Sequence, residues 1–517
     1  MLGPKFHAIA SLPQHRKTFP KVLTYGTAGF RDNADNLPLD SVMFRVGCLA
    51  GIRARERGLA CGVMITASHN EEHDNGAKII DPDGSMLCES WENEAEAVIN
   101  SSSVEELSSF LSSRIKPHSV ASGLVFVACD TRRSSQRLLG CVVRGIQAVD
   151  CLAENCGLLT TPALHHIVRH SNGFGSFPTP ASVEGYIDTI CQGLLEISSS
   201  RLHQLPKLHV DCAGGVGAIL LEKIIDRMGL KNLEIFNRPG TVELNEKCGA
   251  EFVQKQRRLP VGAPQGPAFG ASLDGDGDRI VFWLISSDGK WDLLDGDKIA
   301  ALLGIFLIRK FSKSKLANDF VCVQTAYANG ASSDFLEISN VSRKIAKTGV
   351  KFVEAVAKEH KIGMYFEANG HGTILFNSEI LKSLPGNFPE ILGLAKLLNQ
   401  AVGDALSDLL AVLAVLQNLE ISPQEWAALY TDYPSRQTKI KVPDRRAVKC
   451  SADETRVIEP ADLQHAIDEI VKEVGGRAFV RPSGTEDVLR IYAEAKTQQE
   501  ADELAEKVAA AAAKILM

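Results

Sequence analysis

Residues 65–81 read ITASHNEEHDNGAKIID, and the fold and the chemistry can both be approached from this stretch. The apolar run Gly62-Val63-Met64-Ile65 stops abruptly at Thr66-Ala67-Ser68-His69-Asn70, a small polar turn. A strand that ends in such a turn presents a hydroxyl at the rim of a sheet, clear of its own backbone. Ser68 is therefore a candidate nucleophile, and one suited to carrying phosphate.

Strand-then-turn recurs on either side. Upstream, Tyr25-Gly-Thr-Ala-Gly-Phe-Arg31 is a glycine turn whose amides could approach an anion, with Arg31 adding a fork of donors. Spacing near the helical period predicts a helix over 41–57. The serine-rich 101–113 reads as a surface loop holding a short helix. A strand at 123–128 runs into Asp130-Thr-Arg132-Arg133-Ser134, which can cap the next helix. Strands at 207–211 and 233–236 flank a helix at 219–228, and together the pattern is α/β layering with parallel or mixed sheets. The turn Gly214-Gly215-Val216-Gly217 lacks the G-x-G-x-x-G spacing, which rules out a dinucleotide site of that type. Further on, 325–333 is read as a long loop, 392–416 as helical and rich in Leu and Ala, and Thr497-Gln-Gln-Glu500 as a capping box. Leu504, Val508 and Ile515 mark the packed stripe of the last helix.

Bulk properties narrow the classes. A chain of 517 residues with 45% hydrophobic and 23% charged content is ordinary for a multidomain globular protein. A formal charge of −7 without a long basic block argues against nucleic acid as a partner. The twelve cysteines stand singly, as expected of reduced thiols in the cytoplasm. Residues 1–21 carry no secretory pattern, and the most apolar windows, 299–308 and 402–416, are too short or too charged to span a membrane.

Asp274-Gly-Asp276-Gly-Asp278-Arg279 precedes the apolar strand 280–285. Alternating carboxylates in a tight loop converge on one hard cation. An EF-hand is excluded because its sixth position is Arg279 instead of Gly, its twelfth is Ile285 instead of Glu, and a strand follows. Few protein oxygens with room for a phosphate oxygen favour Mg²⁺, one ion per chain. Three carboxylates, a divalent cation and a phosphoserine remain net negative, so Arg279, Lys78, Arg31 and His69 are candidate balancing cations. Lys78, close to other cations, is expected to have a lowered pKa and to manage a proton. Near the end, Arg481-Pro482-Ser483-Gly484-Thr485, with Arg490 across the turn, combines an arginine fork, hydroxyls and glycine amides as a phosphate cradle. Glu367-Ala368-Asn369-Gly370-His371 groups donors and acceptors as sugar hydroxyls require.

Together these four segments resemble the α-D-phosphohexomutase superfamily. TASHN with EEHDNGAKIIDPDG, FEANGHGT, AVGDALSDLL and LYTDYPSRQ are similar to its branch that acts on N-acetylglucosamine phosphates. The likeness runs from Tyr25 to Ala495 and is weakest over 101–122 and 255–268. Glu71 departs from it, standing where the family usually has proline. The resemblance implies three related α/β domains and a smaller C-terminal α+β domain around a cleft, divided at 1–176, 177–297, 298–435 and 436–517. It implies Ser68 as phosphoserine, with its phosphate and Asp274, Asp276 and Asp278 as ligands of Mg²⁺. Glu367, Ala368 and Asn369 would bind the sugar, and Arg481 to Thr485 with Arg490 the distal phosphate. Arg31, Lys78 and His371 would stand near the transferring phosphate. The implied reaction interconverts N-acetylglucosamine 6-phosphate and 1-phosphate through a sugar 1,6-bisphosphate, on the way to UDP-N-acetylglucosamine. A phosphoglucomutase or phosphomannomutase is the nearest alternative, and a Mg²⁺-dependent phosphatase a more distant one. A serine hydrolase is disfavoured because no G-x-S-x-G surrounds Ser68. A cytoplasmic monomer acting on small sugar phosphates is expected, with a weak dimer as the alternative.

Overall fold

The computed structural model describes residues 2–17, 22–26, 29–34, 39–115, 120, 122–198, 201–312, 314–483 and 487–516. They form two compact units, one of residues 1–295 and 369–423, the other of 296–368 and 424–517.

The first unit contains two five-stranded sheets of the same design. Strands β1 (Phe30–Asn33), β2 (Cys61–Ile65), β3 (Asp74–Ile80), β4 (Leu124–Cys129) and β5 (Leu152–Leu158) lie in the order β1-β3-β2-β4-β5. The β2, β4 and β5 strands are parallel, whereas β3 runs antiparallel to both β1 and β2. Strands β6 (Leu208–Asp211), β7 (Leu233–Phe236), β8 (Ala268–Leu273), β9 (Ile280–Ile285) and β10 (Trp291–Leu294) lie in the order β10-β9-β8-β6-β7. Here β8, β6 and β7 are parallel, and β9 is antiparallel to its two neighbours. The turn holding Ser68 joins β2 to β3, and the aspartate loop joins β8 to β9. The two therefore occupy the same slot in equivalent sheets. Every residue of β2 and β9 is buried, which explains why both read as unbroken apolar runs.

The helix Leu39–Arg57 packs against Ser135–Ala148 on the first sheet. Glycine at the crossing is obligatory: a Cβ on Gly47 would strike the carbonyl of Val142, and one on Gly145 the carbonyl of Phe44. Gly145→Ala is accordingly expected to lower stability by about 1–3 kcal/mol in urea melts. An unchanged midpoint would show that the helices can separate at no cost.

One expectation about elements is sharpened and two are corrected. The stretch 392–416 is two helices, Pro389–Leu397 and Ala405–Leu419. The second starts where the Asp404 carboxylate accepts from the amides of Leu406 (3.1 Å) and Ser407 (3.3 Å). The loop expected over 325–333 ends early, because the Asn329 side chain accepts from the Ala331 amide at 3.0 Å and starts the helix Gly330–Ile338. Ile515 is 37% exposed, and the buried stripe of the last helix continues through Ala512 instead.

In the second unit, β11 (Phe320–Thr325) is flanked by β12 (Ser342–Ala346) and β13 (Ile362–Phe366), both parallel to it. A separate antiparallel sheet is formed by Ser435–Lys441, Val488–Glu494 and Arg477–Pro482, in that order. The helices Ala461–Val474 and Gln498–Leu516 cover it, with Leu463, Ile467, Leu504 and Val508 in the shared core. The capping box forms as read: Glu500 N donates to Thr497 Oγ1 (3.2 Å), and Thr497 N to the Glu500 carboxylate (3.0 Å). All twelve cysteines are free thiols. Among the described residues, no helix is long and apolar enough to cross a membrane.

Candidate active site

Ser68 sits one turn beyond β2. The Asn70 amide closes that turn on the Ala67 carbonyl at 3.1 Å. Ser68 itself has φ 53°, a left-handed conformation that costs a residue with a Cβ about 1–2 kcal/mol. Its amide donates to Thr66 Oγ1 at 2.8 Å. Its hydroxyl donates to Asp274 Oδ2 at 2.9 Å and lies 3.4 Å from Asp278 Oδ1. The nucleophile candidate and the aspartate loop, 206 residues apart in sequence, are thus in direct contact.

Asp274, Asp276 and Asp278 are all buried and offer ligand oxygens within 4.8 Å of one another. Asp274 Oδ1 accepts from the amides of Asp278 (3.0 Å) and Arg279 (3.2 Å), which curls the loop. Gly275 is needed because a Cβ there would come within 2.9 Å of the Ser68 carbonyl oxygen. Thr161 Oγ1 donates to Asp276 Oδ2 at 2.6 Å, while Asp276 Oδ1 has no hydrogen-bond partner. Burial, and then the charges of Asp278 and Asp276, push the Asp274 carboxyl well above the carboxylate range. Burial works the same way on Asp278, but Lys78, His371 and Arg279 overcome it and hold its pKa well below that range. Three buried carboxylates, one with an unpartnered oxygen, are a donor set that fits a hard divalent cation such as Mg²⁺.

Lys78 reaches into the same loop from β3, its Nζ 2.7 Å from both Asp276 Oδ2 and Asp278 Oδ2. Burial alone would lower its pKa, but the two carboxylates outweigh burial and raise it. The expected lowering is therefore reversed, since its nearest neighbours are anions. His69 is also corrected. Burial, with Arg279 and Arg31 adding, holds its pKa well below the ordinary histidine value, so it is neutral near pH 7 and contributes no cationic charge. Its Nε2 lies 3.9 Å from Glu251, whose other oxygen is 3.2 Å from Arg279 Nη1. Arg31, on β1 opposite Gly76, donates to Asn70 Oδ1 at 3.2 Å. Thr27 and Ala28 of its glycine turn lie outside the described residues.

Asn369 and His371 belong to this unit as well. Asn369 Oδ1 accepts from the His371 amide (3.0 Å), and the Gly370 carbonyl from Ile280 N at the start of β9 (3.2 Å). His371 Nδ1 lies 3.7 Å from Asp278 Oδ1. Glu367 and Ala368, both half-buried, follow β13 in the other unit.

In that second unit, Arg481 donates from Nε to the Tyr327 hydroxyl at 3.1 Å and lies 3.7 Å from Glu454. Arg490 stands directly opposite Arg481 across the hairpin. Like charges facing each other across a sheet destabilise it unless an anion intervenes, so the pair suits phosphate. Pro482 is half-buried, Ser483 is buried and its amide donates to the Val488 carbonyl at 2.9 Å. Gly484 and Thr485 lie outside the described residues.

Sequence reasoning missed Thr161 and Glu251. Thr160-Thr161-Pro162 marks a helix start, and Thr160 does cap it through the Ala163 amide at 3.4 Å. Nothing local announces that the next hydroxyl reaches an aspartate 115 positions away.

Comparison with known proteins agrees with this geometry. Residues 295–421 match the family model "Phosphoacetylglucosamine mutase AMG1, domain III". Residues 438–511 match the C-terminal domain of phosphoglucomutase/phosphomannomutase, and 49–106 and 93–182 its alpha/beta/alpha domain I. A phosphoacetylglucosamine mutase of Arabidopsis thaliana is 42% identical, with 97% of each chain covered. The chain belongs to the phosphoacetylglucosamine mutase family. The solved Aspergillus fumigatus N-acetylphosphoglucosamine mutase, in complex with GlcNAc-6P and magnesium, is 35% identical over the full length of both chains with TM-score 0.91. A serine-to-alanine variant of that enzyme was solved with glucose 1,6-bisphosphate, with TM-score 0.89. As in other members of the α-D-phosphohexomutase superfamily, the architecture is multidomain and α/β, the protein is an intramolecular phosphotransferase, and its aspartate triad is placed to hold a divalent cation. The departure at Glu71 leaves its turn closed, since the Glu71 carbonyl accepts from Asp74 N at 3.1 Å.

Proposed function

We propose that this enzyme interconverts N-acetylglucosamine 6-phosphate and N-acetylglucosamine 1-phosphate, with Ser68 as the phosphoryl carrier, in the supply of UDP-N-acetylglucosamine. The observation that carries the reading is the Ser68 hydroxyl 2.9 Å from Asp274 of the aspartate loop. In the first half-reaction the free sugar hydroxyl attacks the phosphorus of phosphoserine 68. The bond from phosphorus to Oγ breaks, the sugar hydroxyl gives its proton to a base, and the departing Oγ takes a proton. In the second, after the bisphosphate has turned over in the site, Ser68 Oγ gives its proton to a base and attacks the other phosphate, the bond from phosphorus to the sugar oxygen breaks, and the departing sugar oxygen takes a proton. Mg²⁺, held by Asp274, Asp276, Asp278 and the Ser68 phosphate, supplies charge neutralisation when bound. Arg31 and Arg279 hold the transferring group by charge. Lys78 lies between two carboxylates of the loop, beside the transferring group. His371 and His69 flank the site. Glu367, Ala368 and Asn369 take the sugar, and Arg481 to Thr485 with Arg490 take whichever phosphate is not being transferred in that half-reaction. Phosphoryl transfer gains chiefly from such positioning and charge.

The segments 1–176, 177–297, 298–435 and 436–517 are taken as the four domains that supply these loops. A monomer acting in the cytoplasm on small sugar phosphates, without nucleic acid or membrane, completes the reading.

Phosphorus-31 NMR of the enzyme with N-acetylglucosamine 6-phosphate, Mg²⁺ and a trace of glucose 1,6-bisphosphate tests it. Formation of the 1-phosphate is expected; accumulation of inorganic phosphate instead would favour a phosphatase. Faster turnover of glucose or mannose phosphates would reassign the substrate. Arg481→Ala should raise KM for the monophosphate about 10- to 100-fold, the loss of one charge-assisted contact of about 1.5–3 kcal/mol. An unchanged KM would remove Arg481 from the phosphate site.

A further inference from the structure

Ser68 is held by more than its hydroxyl. Its carbonyl oxygen accepts from Asn245 Nδ2 at 2.9 Å and from Arg132 Nη2 at 3.3 Å. The same two side chains also grip the Asn70 carbonyl, at 2.8 Å and 2.5 Å. Arg132 is fully buried. Its Nε donates to the Asp74 carbonyl at 2.6 Å, and its Nη1 is paired with the buried Asp130. Asn245 comes from the other sheet module. Its backbone amide donates to the Ala213 carbonyl at 2.9 Å, and its amide nitrogen lies 2.9 Å from where a Cβ on Gly275 would be. One residue therefore follows β4 of the nucleophile's sheet and the other follows β7 of the aspartate loop's sheet, and both close on the same two carbonyls.

We propose that Arg132 and Asn245 form a carbonyl clamp that positions Ser68 over the aspartate loop throughout the reaction cycle. This inference rests on the mutase reading. Once Ser68 carries phosphate, its Oγ has no proton to donate, so the bond to Asp274 is lost in half of the cycle. The clamp holds the backbone carbonyls, which phosphorylation does not alter, so the turn keeps its left-handed form and its register in both states. Small misplacements of a reacting group can cost about a hundredfold in rate.

Asn245→Gly is the decisive variant. The residue has φ 58°, which glycine adopts freely, so the substitution deletes the two donors without straining the chain. Arg132→Lys is the second, keeping a positive charge for Asp130 while dropping the planar fork. Purified full-length proteins are compared by thermal melting, by kcat and KM, by Mn²⁺ binding, and by the rate at which glucose 1,6-bisphosphate labels Ser68 in intact mass spectra. The expected result is a cooperative melt, KM and Mn²⁺ affinity within about threefold of wild type, and kcat and labelling rate both about 10- to 100-fold lower. A lower Tm with wild-type kcat and labelling makes the pair merely structural and overturns the clamp. If Arg132→Lys does not fold, Asn245→Gly decides alone. Failure of the wild type to be labelled at all overturns the mutase reading and the clamp with it. Equal labelling of wild type and Asn245→Gly overturns the clamp alone.

Discussion

Ser68→Ala is expected to abolish the phosphoryl adduct and to lower turnover of N-acetylglucosamine 6-phosphate at least about a thousandfold, equivalent to about 4 kcal/mol of transition-state stabilisation. The reason is chemical: no other hydroxyl donates to the Asp274 carboxylate among the described residues, so the variant has no acceptor placed for the returning phosphate. The fold should survive, because one side-chain hydrogen bond contributes only about 0.5–1.5 kcal/mol. Intact mass before and after incubation with glucose 1,6-bisphosphate, alongside initial rates, makes the comparison. A variant that keeps full activity would remove Ser68 from the mechanism altogether, whatever the mass spectra show.

Asp276→Asn should act through the cation. Asp276 carries the one loop oxygen without a hydrogen-bond partner, while its other oxygen receives Lys78 and Thr161. Replacing this carboxylate by an amide removes one charge from a buried ligand set that depends on charge. The Mg²⁺ concentration for half-maximal activity should rise about tenfold or more, about 1.4 kcal/mol. Mn²⁺ binding followed directly by electron paramagnetic resonance should weaken by a similar factor. If both curves overlay those of the wild type, Asp276 is not a ligand.

The chemistry-bearing segments were legible because each is short and local. Ser68 follows an unbroken apolar strand, the aspartates alternate with glycines, and Arg481 opens a turn between two alternating runs. What could not be read was set by partners distant in sequence. Lys78 looked like a base because the sequence shows cations near it, yet the carboxylates 198 and 200 positions away decide its charge. His69 looked like a cation until burial and two arginines were placed around it. Arg132 was read as part of a helix-capping turn, but Ser134 at the start of Ser135–Ala148 makes no side-chain cap bond, and nothing local announces the carbonyls that the Arg132 fork reaches. Periodicity also ran past the break at 398–404, because the residues on both sides are apolar and only the cap at Asp404 marks the restart.

The equivalent placing of the Ser68 turn and the aspartate loop bears on how such an enzyme can diverge. In each sheet three parallel strands form the frame, and the hairpin beside them carries the chemistry in its turn. A hairpin closes locally, so its letters can change without re-pairing the frame. Duplicating one sheet module would yield two interchangeable cassettes, one free to become a phosphate carrier and the other a cation cradle. Drift in those loops would retune the reaction while the strands stay conserved in pattern, and damage to the strands would cost stability before it altered specificity.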